Sequence, residues 1–151
     1  SGGLNHQQYT EEVAWADSGT NCTAPGATSG IGMRYGSTYR SVAGSKSAIY
    51  RPAIQMAGSY EVFVAWGAGA NRRNPISYTV TSTAGSTKYL VDQNATANQW
   101  VSLGIHPFSV GTSGNLKVSN EDIDLSGNMF AGPAKFVYMP PASVADWPDF
   151  E

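Results

Sequence analysis

Short apolar runs recur along the chain, separated by Gly, Pro, Ser and Asn, and helical periodicity is nearly absent. The clearest run is "YEVFVAW", from Tyr60 to Trp66. Tyr60, Val62, Val64 and Trp66 share one face, and Phe63 and Ala65 lie on the other. Both faces are apolar, which predicts a central strand covered on both sides. "SYTVTS", from Ser77 to Ser82, sets Tyr78 and Val80 against Ser and Thr, as a half-buried strand does. "STKYLVD", from Ser86 to Asp92, follows after the short link "TAGS", which reads as a hairpin turn.

The rest of the chain repeats this logic. "QWVSLGIHPF" alternates Trp100, Ser102 and Gly104 against Val101, Leu103 and Ile105. "NLKVSN" and "AKFVYMP" close the series, and "SAIYRP" is a strand stopped by Pro52. Val13–Trp15 and Met33–Tyr35 are weaker candidates. About eight or nine strands, spaced by roughly 10–15 residues, predict an all-β fold, an antiparallel β-sandwich of the jelly-roll kind. Residues 1–12 read as a loose N-terminal segment and 13–139 as the sandwich domain. Residues 140–151 read as a Pro-rich tail or linker, because Pro140 and Pro141 end the last strand.

Composition narrows the class. Charged residues are only 13% of the chain, well below the usual quarter, and Gly numbers 17. Low charge with many small polar residues and aromatics suits a secreted β-protein. The formal net charge of -2 counts against a nucleic-acid partner. No apolar run of about 18 residues is present to span a membrane as a helix. Cys22 is the only cysteine, so no internal disulfide forms, and its Thr, Ala and Pro neighbours mark a loop residue. Asn21 and Asn94 head Asn-x-Thr sequons.

The loop after Trp66, "GAGANRRN", raises the question of a phosphate cradle. Such a cradle needs a helix after it, whose N-terminal amides hold the anion. Here Pro75 disfavours a helical Asn74 and a strand begins almost at once. The Gly-Lys-Ser/Thr of a nucleotide loop is also missing. The stretch is therefore a strand-to-strand connection, with small residues for the turn and with Asn71, Arg72 and Arg73 projecting from it.

The order "YGSTYR", "AIYRP", "AGSYEVFVAW", "NRRNPISYTV", "VDQN", "QWVSLGIHPFSVG" and "LKVSN" resembles the golvesin C-terminal-like domain, also called the xanthan-lyase carbohydrate-binding-like domain. The likeness runs from about Trp15 to Tyr138. No single motif is diagnostic, but their occurrence together in the right order is specific. The resemblance implies a β-sandwich appended to secreted bacterial enzymes and surface proteins, with a role in polysaccharide attachment. Departures are visible. Tyr50 and Arg51 stand where the family has Trp before Pro, Gly67 follows Trp66 where it has Pro, and Pro133 replaces an acid in the closing strand.

Candidate chemistry points the same way. His6 and His106 are the only histidines, and no nucleophile elbow or zinc spacing accompanies them. Glu11 and Glu12 are adjacent and Glu61 is mid-strand, so no acid–base pair is placed for glycoside chemistry. The chain reads as a non-enzyme that needs no cofactor or metal. "NEDIDLSGN" has oxygen ligands at alternate positions, as calcium likes, but the twelfth position from Asp122 is Pro133, and a solvated acidic turn is the better reading. Sugars are held by aromatic faces and by planar Arg, Asn or Gln groups that bond hydroxyls. Tyr35, Tyr39 and Arg40 form one such group and Trp66, Asn71 and Arg72 another; convergence on one end of the sandwich would make a carbohydrate site. The arginines favour an acidic polysaccharide. Trp15 and Trp100, each on an alternating run, read as core. The expected function is a non-catalytic module, secreted or on a bacterial cell surface, that attaches to polysaccharide. The alternative is a structural subunit of a surface assembly or filament that self-associates through its terminal arms.

Overall fold

The computed structural model describes residues 8–12, 15–27, 32–38 and 46–142. His6, Val13, Tyr39, Arg40 and the end of the tail lie outside these residues. Eleven strands are present among them: β1 (Tyr9–Glu12), β2 (Ala16–Asn21), β3 (Gly32–Ser37), β4 (Ser47–Tyr50), β5 (Gly58–Val64), β6 (Ile76–Ser82), β7 (Gly85–Val91), β8 (Val101–Phe108), β9 (Asn115–Ser119), β10 (Asn128–Ala131) and β11 (Ala134–Met139). The all-β antiparallel sandwich is as expected, with more strands than the apolar runs announce. β1 and β2 have no apolar run of their own to mark them, and β10 has only the short run Met129–Ala131. β1 falls in the segment expected to be loose. It is an edge strand, paired with β4 from Tyr9 opposite Tyr50 to Glu12 opposite Ser47.

One sheet has five strands in the order β1-β4-β9-β6-β7. Two three-stranded sheets, β10-β3-β2 and β11-β5-β8, complete the sandwich. They are joined where β10 runs into β11 through Gly132 and Pro133. Ala65 N–H donates to Pro133 O at 3.0 Å across this junction. Val62, Val64, Leu103, Ile76, Tyr78, Val80, Leu116 and Val118 are all buried. These are the alternate positions of β5, β6, β8 and β9, which is how a period-two pattern fills a core.

Three details correct the simplest pattern. β5 is central in its sheet, but its second face, with Ser59, Glu61 and Phe63, is open or half-buried rather than covered. β8 does not hold one alternation. Glu61 pairs with Ile105 and Phe63 with Ser102, so β8 carries one extra residue opposite Val62. Gly104 lies there at φ 80°, a left-handed conformation that glycine takes without steric cost. Beyond this bulge the faces invert. Leu103 is buried, while Ile105, expected on the same face, is 55% exposed. Trp100 is half-buried rather than core, and its indole N–H donates to Pro25 O at 2.6 Å. Trp15 is buried as expected, and its N–H, shared between Glu12 O (3.2 Å) and Ser47 O (3.1 Å), ties β1 to β4.

Candidate functional site

The loop between β5 and β6 begins at Trp66, which is fully buried. Its ring stacks on Tyr78 at a centroid distance of 6.5 Å, and its N–H donates to Ala95 O at 3.2 Å. The small residues that follow wrap around Arg72. Arg72 Nη2 donates to Gly67 O (2.8 Å) and Ala68 O (3.0 Å), and Nη1 to Asn71 Oδ1 (3.2 Å). The guanidinium lies over Phe130, with its central carbon 3.2 Å from the ring centroid. Arg72 is only 2% exposed, and its Nε has no hydrogen-bond partner among the described residues. Burial without a carboxylate beside it holds the guanidinium below its ordinary pKa.

This overturns the expected display of Arg72. The chain keeps the arginine inside, where loop carbonyls and an aromatic face replace water. Trp66 is likewise a core residue and offers no face to a sugar. Asn71 is exposed, as are Ala68, Gly69 and Ala70. Tyr35 is half-buried, opposite Phe130 in the β3–β10 pair, with ring centroids 6.0 Å apart. The structure thus brings Tyr35 and Arg72 together on Phe130, with Asn71 bonded to Arg72 and Trp66 at the root of the same loop, but only Asn71 and part of Tyr35 reach the surface. Tyr39 and Arg40 lie outside the described residues.

Two further loops join this end of the sandwich. The β7–β8 loop is fastened by the buried Gln93, whose amide donates to Tyr78 Oη (2.8 Å) and Phe130 O (2.8 Å) and accepts from Phe130 N–H (2.8 Å). Asn98 N–H donates to Trp66 O at 2.7 Å, and Asn98 Oδ1 accepts from Thr23 N–H at 2.9 Å. Thr96 (φ 50°) and Asn98 (φ 60°) are left-handed, which is costly for a β-branched Thr. The outcome is a tied loop end with Thr23, Asn71, Asp92, Asn94, Thr96 and Gln99 exposed. Such amides and hydroxyls can donate to and accept from sugar hydroxyls.

A second surface was not anticipated. The outer face of the β11-β5-β8 sheet carries three cross-strand rows: Lys135, Phe63 and Ser102; Val137, Glu61 and Ile105; Met139, Ser59 and Pro107. Lys135 Nζ sits 4.9 Å from the Phe63 ring centroid and 4.3 Å from that of Trp100. Ser102 Oγ donates to Glu61 Oε2 at 2.7 Å. The sequence signals were present in "AKFVYM" and "YEVFVAW", but only the register aligns them.

The acidic turn is occupied by neighbours. Lys88 Nζ pairs with Glu121 and Asp122, both at 2.9 Å, and Ser77 Oγ donates to Asp122. No cluster of three or more His, Cys, Asp or Glu placed to hold a metal ion occurs among the described residues.

Comparison with known proteins adds the ancestry. The profile of the golvesin C-terminal domain matches residues 5–138. A xanthan lyase from Bacillus sp. (strain GL1) is 33% identical over 109 residues, covering 69% of this chain and 12% of that protein. The solved structure of a Paenibacillus xanthan lyase superposes with a TM-score of 0.75 at 23% identity, over 91% of this chain and 12% of that one. The chain therefore spans about an eighth of the length of either relative, and the structural likeness speaks for the fold.

Proposed function

The chain belongs to the golvesin C-terminal domain family, and from that membership we propose that it is a non-catalytic extracellular module that attaches to polysaccharide. One observation carries the reading. Over 109 residues it is 33% identical to a segment that makes up only 12% of a xanthan lyase, an accessory-sized share of an enzyme named for a polysaccharide. A fold alone does not assign a function, so the surface chemistry matters. The loop end supports the reading with Asn71, Asn94 and Gln99 exposed on a backbone tied by Gln93, Asn98 and Arg72. Of the described residues expected to bind, Asn71 and Tyr35 are the ones proposed to touch sugar. Trp66 and Arg72 act from below, by holding the loop.

Affinity electrophoresis through gels containing acidic and neutral polysaccharides, followed by calorimetry on any hit, tests this. Retardation by at least one polymer is expected. Absence of retardation across a broad panel would sink the proposal. Self-assembly is a second reading, and the edge strand β7 supports it. That strand is largely exposed and carries Leu90 at 60% exposure. Light scattering at rising concentration decides, and a strictly monomeric chain removes this option.

A further inference from the structure

We propose that the outer face of the β11-β5-β8 sheet binds an acidic polysaccharide, with Lys135 pairing to its carboxylates. This rests on the polysaccharide reading above and names the ligand class and a surface for it. Three of the large apolar residues that stand exposed in this protein fall on this one face: Ile105 at 55%, Val137 at 40% and Met139 at 37%. Phe63 and Trp100 extend the apolar surface as half-buried rings. The three rows run along the strands for about 14 Å, taking four residues at the usual rise, which is long enough to underlie several sugar rings.

Charge chooses among occupants. Arg34 is paired by Glu11 and Asp17, Lys88 by Glu121 and Asp122, and Lys117 by Glu121. Lys135 makes no ion pair among the described residues and is held over two rings instead. A cation on aromatic faces keeps most of its charge for an incoming anion. The ligand must then offer an anionic group beside apolar C–H surface and hydroxyls. A uronate-bearing chain has all three. Its ring faces would lie on Ile105, Val137 and Phe63, its carboxylate on Lys135, and its hydroxyls would donate to Glu61, whose carboxylate is fixed by Ser102. The bulge at Gly104 makes the surface by turning Ile105 outward.

The test uses the whole 151-residue chain with polygalacturonate and its methyl ester as probes. Binding to the acid form, weaker binding to the ester, and a loss of about tenfold or more in Lys135→Gln are expected. Lys88→Gln removes the same charge from the opposite sheet and should stay within about twofold of the parent. Val137→Asp should also weaken the acid form, by repulsion and by lost apolar contact. Circular dichroism confirms that each variant is folded. If the chain binds polysaccharide and Lys135→Gln and Val137→Asp bind like the parent, this surface is wrong while the module reading stands. Equal affinity for acid and ester overturns the assigned ligand class. Failure to bind any polysaccharide overturns the reading beneath it.

Discussion

Arg72 sits over the ring of Phe130, its guanidinium carbon 3.2 Å from the ring centroid. Charge is thereby taken into the core with no carboxylate to meet it, and the carbonyls of Gly67 and Ala68 accept its N–H hydrogen bonds. Removing a buried group in this position costs in two ways: the packing on Phe130 is lost, and two loop carbonyls lose their donor. Arg72→Ala is expected to destabilise by about 3 kcal/mol. Arg72→Met keeps the packing and drops the charge, so it should cost clearly less, about 1–2 kcal/mol. Urea midpoints of the two variants measure the order; an equal or inverted order would show that the contact with Phe130 contributes little.

Gln93 is the other fastener of the same end. Its three bonds satisfy both backbone groups of Phe130 and the hydroxyl of Tyr78, whose own pKa burial pushes up. Gln93→Leu fills the volume but strands a buried N–H and a buried carbonyl. The expected cost is about 2–4 kcal/mol, against roughly 1 for Tyr78→Phe, which removes one partner only. Thermal unfolding of both variants checks the ratio.

Trp66, Arg72, Tyr78 and Gln93 explain why the fold was legible and the site less so. All four lie in the stretches that carry the family resemblance, and all four are buried against one another or Phe130. The recognisable signature is therefore a packing signature. It announces the sandwich and says nothing about which groups face solvent. Arg72 looked displayed because arginines in loops usually are. Its burial depends on Phe130, which is far along the chain and comes close only when β10 pairs with β3. The Lys135, Phe63 and Trp100 group was hidden for a similar reason. It needs the β11–β5 register and the extra residue in β8, neither of which a period-two pattern reveals. β1 and β2 were missed because they are polar edge strands. Arg34 on β3 helps hold both, through Glu11 on β1 and Asp17 on β2.

The junction between β10 and β11 depends on Gly132. A Cβ there would collide with the backbone carbonyl of Ala65, which is fixed in the ladder with Pro133 beside it. Gly132→Ala should cost more than about 2 kcal/mol, because backbone rather than a flexible side chain must move. Gly19 in β2 is the counterpart, since a Cβ there meets nothing within 4 Å. Gly19→Ala should fall within about 0.5 kcal/mol of the parent. Chemical denaturation of the pair distinguishes a steric cause from a general intolerance of substitution at glycine.

Acid should loosen β1 first. Arg34 grips Glu11 with both arms, Nε to Oε1 at 2.6 Å and Nη2 to Oε2 at 2.8 Å, and Tyr9 Oη donates to the same carboxylate at 3.0 Å. These bonds, Arg34 foremost, hold the Glu11 carboxyl below its ordinary value of 4.5. A carboxyl depressed in the folded state binds its proton less readily there than in the unfolded chain. Its contribution is therefore complete above the unfolded value and is lost as pH falls through the folded one. The parent should lose stability more steeply than Glu11→Gln between about pH 5 and pH 2, and the two curves should approach each other at the acid end. Near pH 7 the parent should be the more stable. Denaturant midpoints at half-unit pH steps provide the comparison. Parallel curves for parent and variant would mean that the Glu11–Arg34 pair is not what fastens β1 to the sandwich.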